Sequence, residues 1–126
     1  MNTTLENKLK ELLAEDKIWL IYVGIIFLSW YSNNLERKYF VFNDQKSKQK
    51  YRNIMIFIFT ILIIVYFYFF KQSVIDIKDI KPSDSNKKKT LTYLSFYASL
   101  FILVSGLIFL YIAIEDDNLS VEIAFN

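Results

Sequence analysis

Apolar residues gather in three runs along this chain, 18–35, 54–70 and 91–114, with polar residues filling the intervals. A bilayer core takes roughly 17 to 25 mostly apolar helical residues per crossing. The second and third runs contain no charged residue. The pattern predicts an all-α integral membrane protein with three transmembrane helices.

Ahead of the first run, Leu5, Leu9, Leu12 and Leu13 recur along one helical face, opposite Lys8, Lys10, Glu11 and Glu15. Thr3 and Glu6 fit a capping box, in which each side chain satisfies an orphan backbone donor of the other residue. Residues 1–17 are thus expected to form an amphipathic N-terminal helix. With no breaker between Leu5 and Leu35, a rigid extension of the first span is favoured over a separate surface helix. No positive leader or small-residue cleavage site accompanies the first apolar run, so it is expected to be a retained anchor.

Trp19 and Tyr22 flank one end of that run, and Trp30 and Tyr31 the other. Such amphipathic rings favour the headgroup level, which makes Trp19, Trp30, Tyr66 and Tyr68 the expected interface anchors. The two tryptophans are only about 16 Å apart along a helix. At least one is therefore expected to pack deeper, against another helix.

Residues 36–53 form the first loop by hydropathy, yet read as largely helical. Their best turn signal is Asn43-Asp44, with Asp44 placed to cap a second helix from Gln45 through Phe70. The first two helices would then make a long antiparallel hairpin reaching beyond the bilayer. Its tip is basic, with Arg37, Lys38, Lys46, Lys48, Lys50 and Arg52 against Glu36 and Asp44. The five aromatics Tyr66 to Phe70 cannot share one helix face and are expected to ring the opposite interface.

The linker from Asp76 to Lys89 holds the only proline, and Ser83, Asp84, Ser85 and Asn86 are all candidate caps for a third helix. Within that helix Ser95, Ser99, Gly106 and Ala113 keep small residues along one face. Small residues let helix backbones approach closely in lipid. This face is expected to meet the first two helices near Gly24, with a homo-oligomer contact as the competing use. The tail, 115–126, is acidic, and Val121, Ile123 and Phe125 alternate with polar positions as an edge strand or a frayed end would.

The chain reads as one domain of 126 residues with no room for a separate soluble core. Absence of cysteine removes disulfides and thiol chemistry, and absence of histidine removes the commonest proton shuttle and metal ligand. The nearest approaches to an acid pair, Asp76 with Asp79 and Glu115 with Asp116 and Asp117, read as solvated membrane-edge loops. No enzyme activity, cofactor or metal is expected. A net charge of +2 implies no nucleic-acid partner. The Lys87 to Lys89 run reads as lipid-headgroup contact. The N-terminal segment and second loop hold nine Lys and Arg against six in the first loop and tail. That balance favours a cytoplasmic N-terminus.

Several stretches carry a family resemblance: 15–22, 32–37, Tyr51-Arg52, and the ending 121–126. They resemble small membrane proteins of nucleocytoplasmic large DNA viruses that infect algae and protists. The resemblance implies a virion inner-membrane component, or one of a host-derived membrane, coupled to the capsid. The expected function is accordingly structural, with lipid and protein partners. Arg37, Lys38, Lys46, Lys48, Lys50, Arg52, Asp116, Asp117 and Phe125 are the expected partner contacts. The alternative is an oligomeric pore, viroporin-like or holin-like, lined by the serine face of the third helix.

Overall fold

A computed structural model describes residues 3–121, and among them the fold is three helices with no strand. These are α1, Thr3–Phe42; α2, Gln45–Lys78; and α3, Asn86–Glu115. At 1.5 Å per residue they measure about 60, 51 and 45 Å, each longer than the roughly 30 Å hydrocarbon core. Two compact units divide the chain: one comprises α1 and the start of α2 through Tyr51, the other begins at Arg52.

In the first unit α1 is continuous, so residues 3–17 extend it as a rigid segment. Its buried residues are Ile18, Ile25, Ser32 and Leu35. The tryptophans lie off that row. Trp19 is 66% exposed and Trp30 68%, so neither packs deeply; this corrects the expectation for one of them. Trp19 instead meets Tyr22 edge-on at 5.7 Å.

The turn falls at Asn43-Asp44. Asn43 takes φ 53°, a left-handed conformation that asparagine tolerates better than most residues. Asp44 caps α2: its carboxylate accepts from Lys46 N–H at 3.1 Å and from Ser47 Oγ at 2.9 Å. The Lys48 ammonium lies 5.3 Å over the Tyr39 ring, which sets the first turn of α2 beside the last turns of α1.

In the second unit α2 runs eight residues past Phe70 and α3 starts at Asn86, so the linker shrinks from the expected 76–89 to 79–85. Hydropathy falls at Lys71, but a fall in hydropathy does not break a backbone, and the first residue that cannot continue the helix is Pro82. Of the four candidate caps the fold uses Ser85, whose Oγ accepts from Lys88 N–H at 3.1 Å. Asp84 closes the turn by accepting from Lys81 N–H at 2.8 Å and pairing with the Lys88 ammonium at 3.3 Å.

Within this unit α3 packs antiparallel to α2. Phe59 stacks on Phe109 at 5.5 Å, Tyr66 and Ile63 meet Gly106, Phe70 meets Phe96 at 5.4 Å, and Ser73 meets Ser99. Residues early in α2 meet residues late in α3, and those late in α2 meet residues early in α3. Most of the core belongs to α2, where Met55, Ile58, Phe59 and Leu62 are almost wholly covered.

Candidate functional site

Three places collect the residues singled out by sequence. The first is the small-residue face of α3. Gly106 has its backbone against Tyr66, and a Cβ placed there would lie 3.0 Å from the ring. Ser99 Oγ lies 2.8 Å from Ser73 Oγ, and each also has a carbonyl of its own helix in reach, Phe70 O for Ser73 and Phe96 O for Ser99; with one proton apiece, one hydroxyl donates to its own helix and the other across to its partner. Ala113 is buried, whereas Ser95 is exposed. At Ser99 and Gly106 this face is therefore occupied by α2 of the same chain. A Cβ at Gly24 would meet nothing within 4 Å. Tyr66, assigned as an interface anchor, covers Gly106; Tyr68 stands edge-on to Phe69 at 5.5 Å.

The second place is a clamp where α3 ends. Arg52 Nη2 donates to the Ile114 carbonyl at 2.6 Å and lies 3.2 Å from Asp117 Oδ1. The last carbonyls of a helix lack intrahelical partners and carry partial negative charge, so a guanidinium there satisfies both deficits. Arg52 is largely covered, at 18% side-chain exposure, while Asp117 is 80% exposed. The carbonyl bond is therefore the firmer half. Asp116 turns inward on its own loop, accepting from Ser120 N–H, Ser120 Oγ and Val121 N–H at 2.8–3.0 Å. Burial pushes its carboxyl up, but these donors outweigh it and hold the group below its usual range. Arg52, Asp116 and Asp117 were assigned to partner contact; the fold gives all three intramolecular partners. Phe125 lies outside the described residues.

Arg37, Lys38, Lys46 and Lys50 stay exposed near the Asn43-Asp44 turn, with Arg37 donating to Asn34 Oδ1 at 3.1 Å. Asp44 is held below its usual carboxylate range, chiefly by the Ser47 hydroxyl.

The third place was not assigned as a site by sequence. An open cleft of about 570 Å³ lies where α2 ends and α3 begins, with Asp76 and Asp79 on one wall and Lys87 and Lys88 on the other. Ile80 and Leu91 add apolar surface, and Ser85, Thr92 and Ser95 add hydroxyls. The sequence signal was present in two halves, an acid pair and a lysine run, each read as solvated separately. Only the turn between them brings them to one cleft.

α2 and α3 are long and apolar enough to cross a membrane. α1 is not among such helices; Ser29, Ser32, Asn33 and Asn34 dilute its apolar run. Comparison of the chain with protein-family models, curated proteins and solved structures gives no match.

Proposed function

We propose that this chain is an integral membrane protein of three crossings with a structural role, docking to protein partners through its basic turn segment. One observation carries the membrane part. Only 11% of the apolar stretch of α3 is buried by the protein, and Gly106 and Ala113 are its buried residues. A helix apolar all round belongs in a protein core or in lipid, and this fold supplies no core around α3. α2 is more enclosed, with 28% of its stretch buried, as suits the helix that α3 packs on. α1 supports a third crossing by presenting Leu20, Phe27 and Trp30 at over 60% exposure.

The structural role rests on what the charged groups do. Among the described residues they cap helices, pair locally or stand exposed, and none is set against a nucleophile. Arg37, Lys38, Lys46 and Lys50 offer a cationic surface for an acidic partner. The viral resemblance would place that partner at the inner face of a capsid and the protein in the virion membrane.

Because the chain has no cysteine, single-cysteine labelling in sealed vesicles tests the topology directly. Gln45→Cys and Asn118→Cys should react with an impermeant maleimide from one side, and Ser83→Cys and Lys10→Cys from the other. Lys10→Cys reacting on the Gln45 side would remove α1 as a crossing. For the role, quantitative mass spectrometry of purified particles should find the chain in hundreds of copies, retained until detergent strips the lipid. Absence from particles would defeat the virion assignment.

A further inference from the structure

Resting on the membrane reading above, we propose that Lys71 and Lys78, on the lipid-facing side of α2, bind the phosphates of anionic phospholipids in the leaflet at the α2–α3 turn. Phe57, Ile64, Lys71 and Lys78 follow one another at seven-residue steps, two helical turns each, so they form one row along α2. Phe57 and Ile64 are more than half exposed, which on the membrane reading turns this row to lipid. Lys71 and Lys78 are exposed as well and continue it. A lysine so placed lays its methylene stem along apolar surface and carries its ammonium to the polar layer.

Depth brings the same two residues to the phosphates. The apolar run of α2 ends at Phe70, directly before Lys71, and that of α3 begins at Leu91. The contacts of Phe70 with Phe96 and of Ser73 with Ser99 set the register of the two helices here. They put residues 71–72 level with 97–98, and antiparallel counting from that point puts Leu91 level with Lys78. The two helices thus mark the edge of the hydrocarbon at levels about 10 Å apart, one at Lys71 and one at Lys78. The headgroup layer is about 5 to 8 Å thick on each side of the hydrocarbon. Wherever between those levels the hydrocarbon ends, an ammonium of this row reaches that layer.

Charge selects the lipid. From Lys71 to Thr90 six lysines stand against three aspartates, a net charge of +3. The fold sorts these groups. Asp84 pairs with Lys88 at 3.3 Å, and Asp76 and Asp79 line the same cleft as Lys87 and Lys88. Lys71 and Lys78 lie outside that cleft and enter no ion pair among the described residues. They are the cations left for a lipid, and lysines at a membrane surface gain from a leaflet of negative charge. A zwitterionic headgroup brings its own cation and offers them no such gain.

The test begins with full-length protein reconstituted in phosphatidylcholine vesicles, where flotation and resistance to carbonate extraction report insertion independently of headgroup charge. The protein is then transferred to vesicles holding equal phosphatidylglycerol, phosphatidylethanolamine and phosphatidylcholine, extracted in mild detergent, and its retained lipids weighed by native mass spectrometry. Phosphatidylglycerol should be enriched by about fivefold or more over each of the others. Lys71→Gln combined with Lys78→Gln should bring the three lipids to parity while helix content and flotation stay unchanged. Lys71→Arg combined with Lys78→Arg should keep the enrichment, as should Lys46→Gln combined with Lys50→Gln at the Asn43-Asp44 turn. Equal retention of the three lipids by inserted protein, or preference for a zwitterionic one, overturns the site and leaves the membrane reading standing. Enrichment that survives the glutamines at 71 and 78, or that disappears with those at 46 and 50, overturns the assignment to this row. Displacement of the retained lipid by inorganic phosphate overturns it in favour of a free-anion site. Failure of the unaltered protein to float overturns both readings.

Discussion

Replacing each glycine by alanine asks whether α3 packs as tightly on α2 as the geometry states. At Gly106 the new methyl would lie 3.0 and 3.2 Å from Tyr66 Cδ2 and Cε2, and 3.4 Å from Ile63 Cγ1. Ordinary contact needs several tenths of an ångström more, so the Tyr66 ring must shift. Overpacking of this kind costs about 1–3 kcal/mol. Against it stands the gain of about 0.5–1 kcal/mol from removing a glycine from a helix interior. Gly106→Ala should therefore fall between near-neutral and about 2 kcal/mol destabilising. Gly24→Ala meets open space and keeps only the gain. The informative quantity is the difference between the two variants, about 1–3 kcal/mol, because the propensity term cancels. Thermal or denaturant unfolding in one detergent, followed by circular dichroism, measures it. Equal shifts for both variants would refute the close approach of α2 and α3 at Gly106.

Four further perturbations follow from the polar contacts. Arg52→Ala should cost about 2 kcal/mol, the scale of a hydrogen bond to a charged group, and speed amide exchange in the last turn of α3. Asp117→Asn should cost less than about 1 kcal/mol, because its carboxylate is 80% exposed; comparable losses in the two unfolding curves would contradict the ranking. A double-mutant cycle of Ser73→Ala and Ser99→Ala should give a coupling of about 0.6 kcal/mol, and no coupling would mean that each hydroxyl is satisfied by its own helix alone. Asp44→Ala should raise amide exchange at Lys46, and since the native carboxyl sits below its ordinary 3.8, the cap's contribution is complete above that value and lost as pH falls through the lowered one; protection that survives acidification would show that the carboxylate is not the cap.

Local features were legible in the sequence and pairings were not. The Asn43-Asp44 turn could be read because its chemistry lies within a few residues: asparagine adopts positive φ and aspartate accepts from the next turn. The end of α2 could not, because hydropathy reports where lipid would stop, while the backbone continues until Pro82 interferes. The small-residue face of α3 was visible as a spacing. Which residues would fill it, Tyr66, Ile63 and Ser73, depends on the register set by the 79–85 linker. Trp19 and Trp30 failed for a related reason: their separation along α1 was read as depth, when their direction around the helix keeps them off the buried row.

Charge was where composition and fold diverged most, and the divergence bears on where a partner binds. Counted along the chain, Arg52 and Asp117 look like surface groups of opposite sign, equally available to another protein. In the fold Arg52 satisfies a helix-terminal carbonyl at 2.6 Å. A partner competing for that guanidinium would strip a charge-assisted bond and leave the end of α3 unsatisfied. Lys46 and Lys50 carry the same sign, stand exposed, and impose no such loss. Under the proposed docking role, recognition of an acidic partner would therefore lie before Tyr51, and Arg52 belongs to the structure of the second unit. Reversing Lys46, Lys48 and Lys50 to glutamate should abolish partner capture without changing insertion, since none of the three ties α2 to α3. If Arg52→Ala instead removed capture while the lysine reversal left it intact, the docking surface would have to be moved to the clamp.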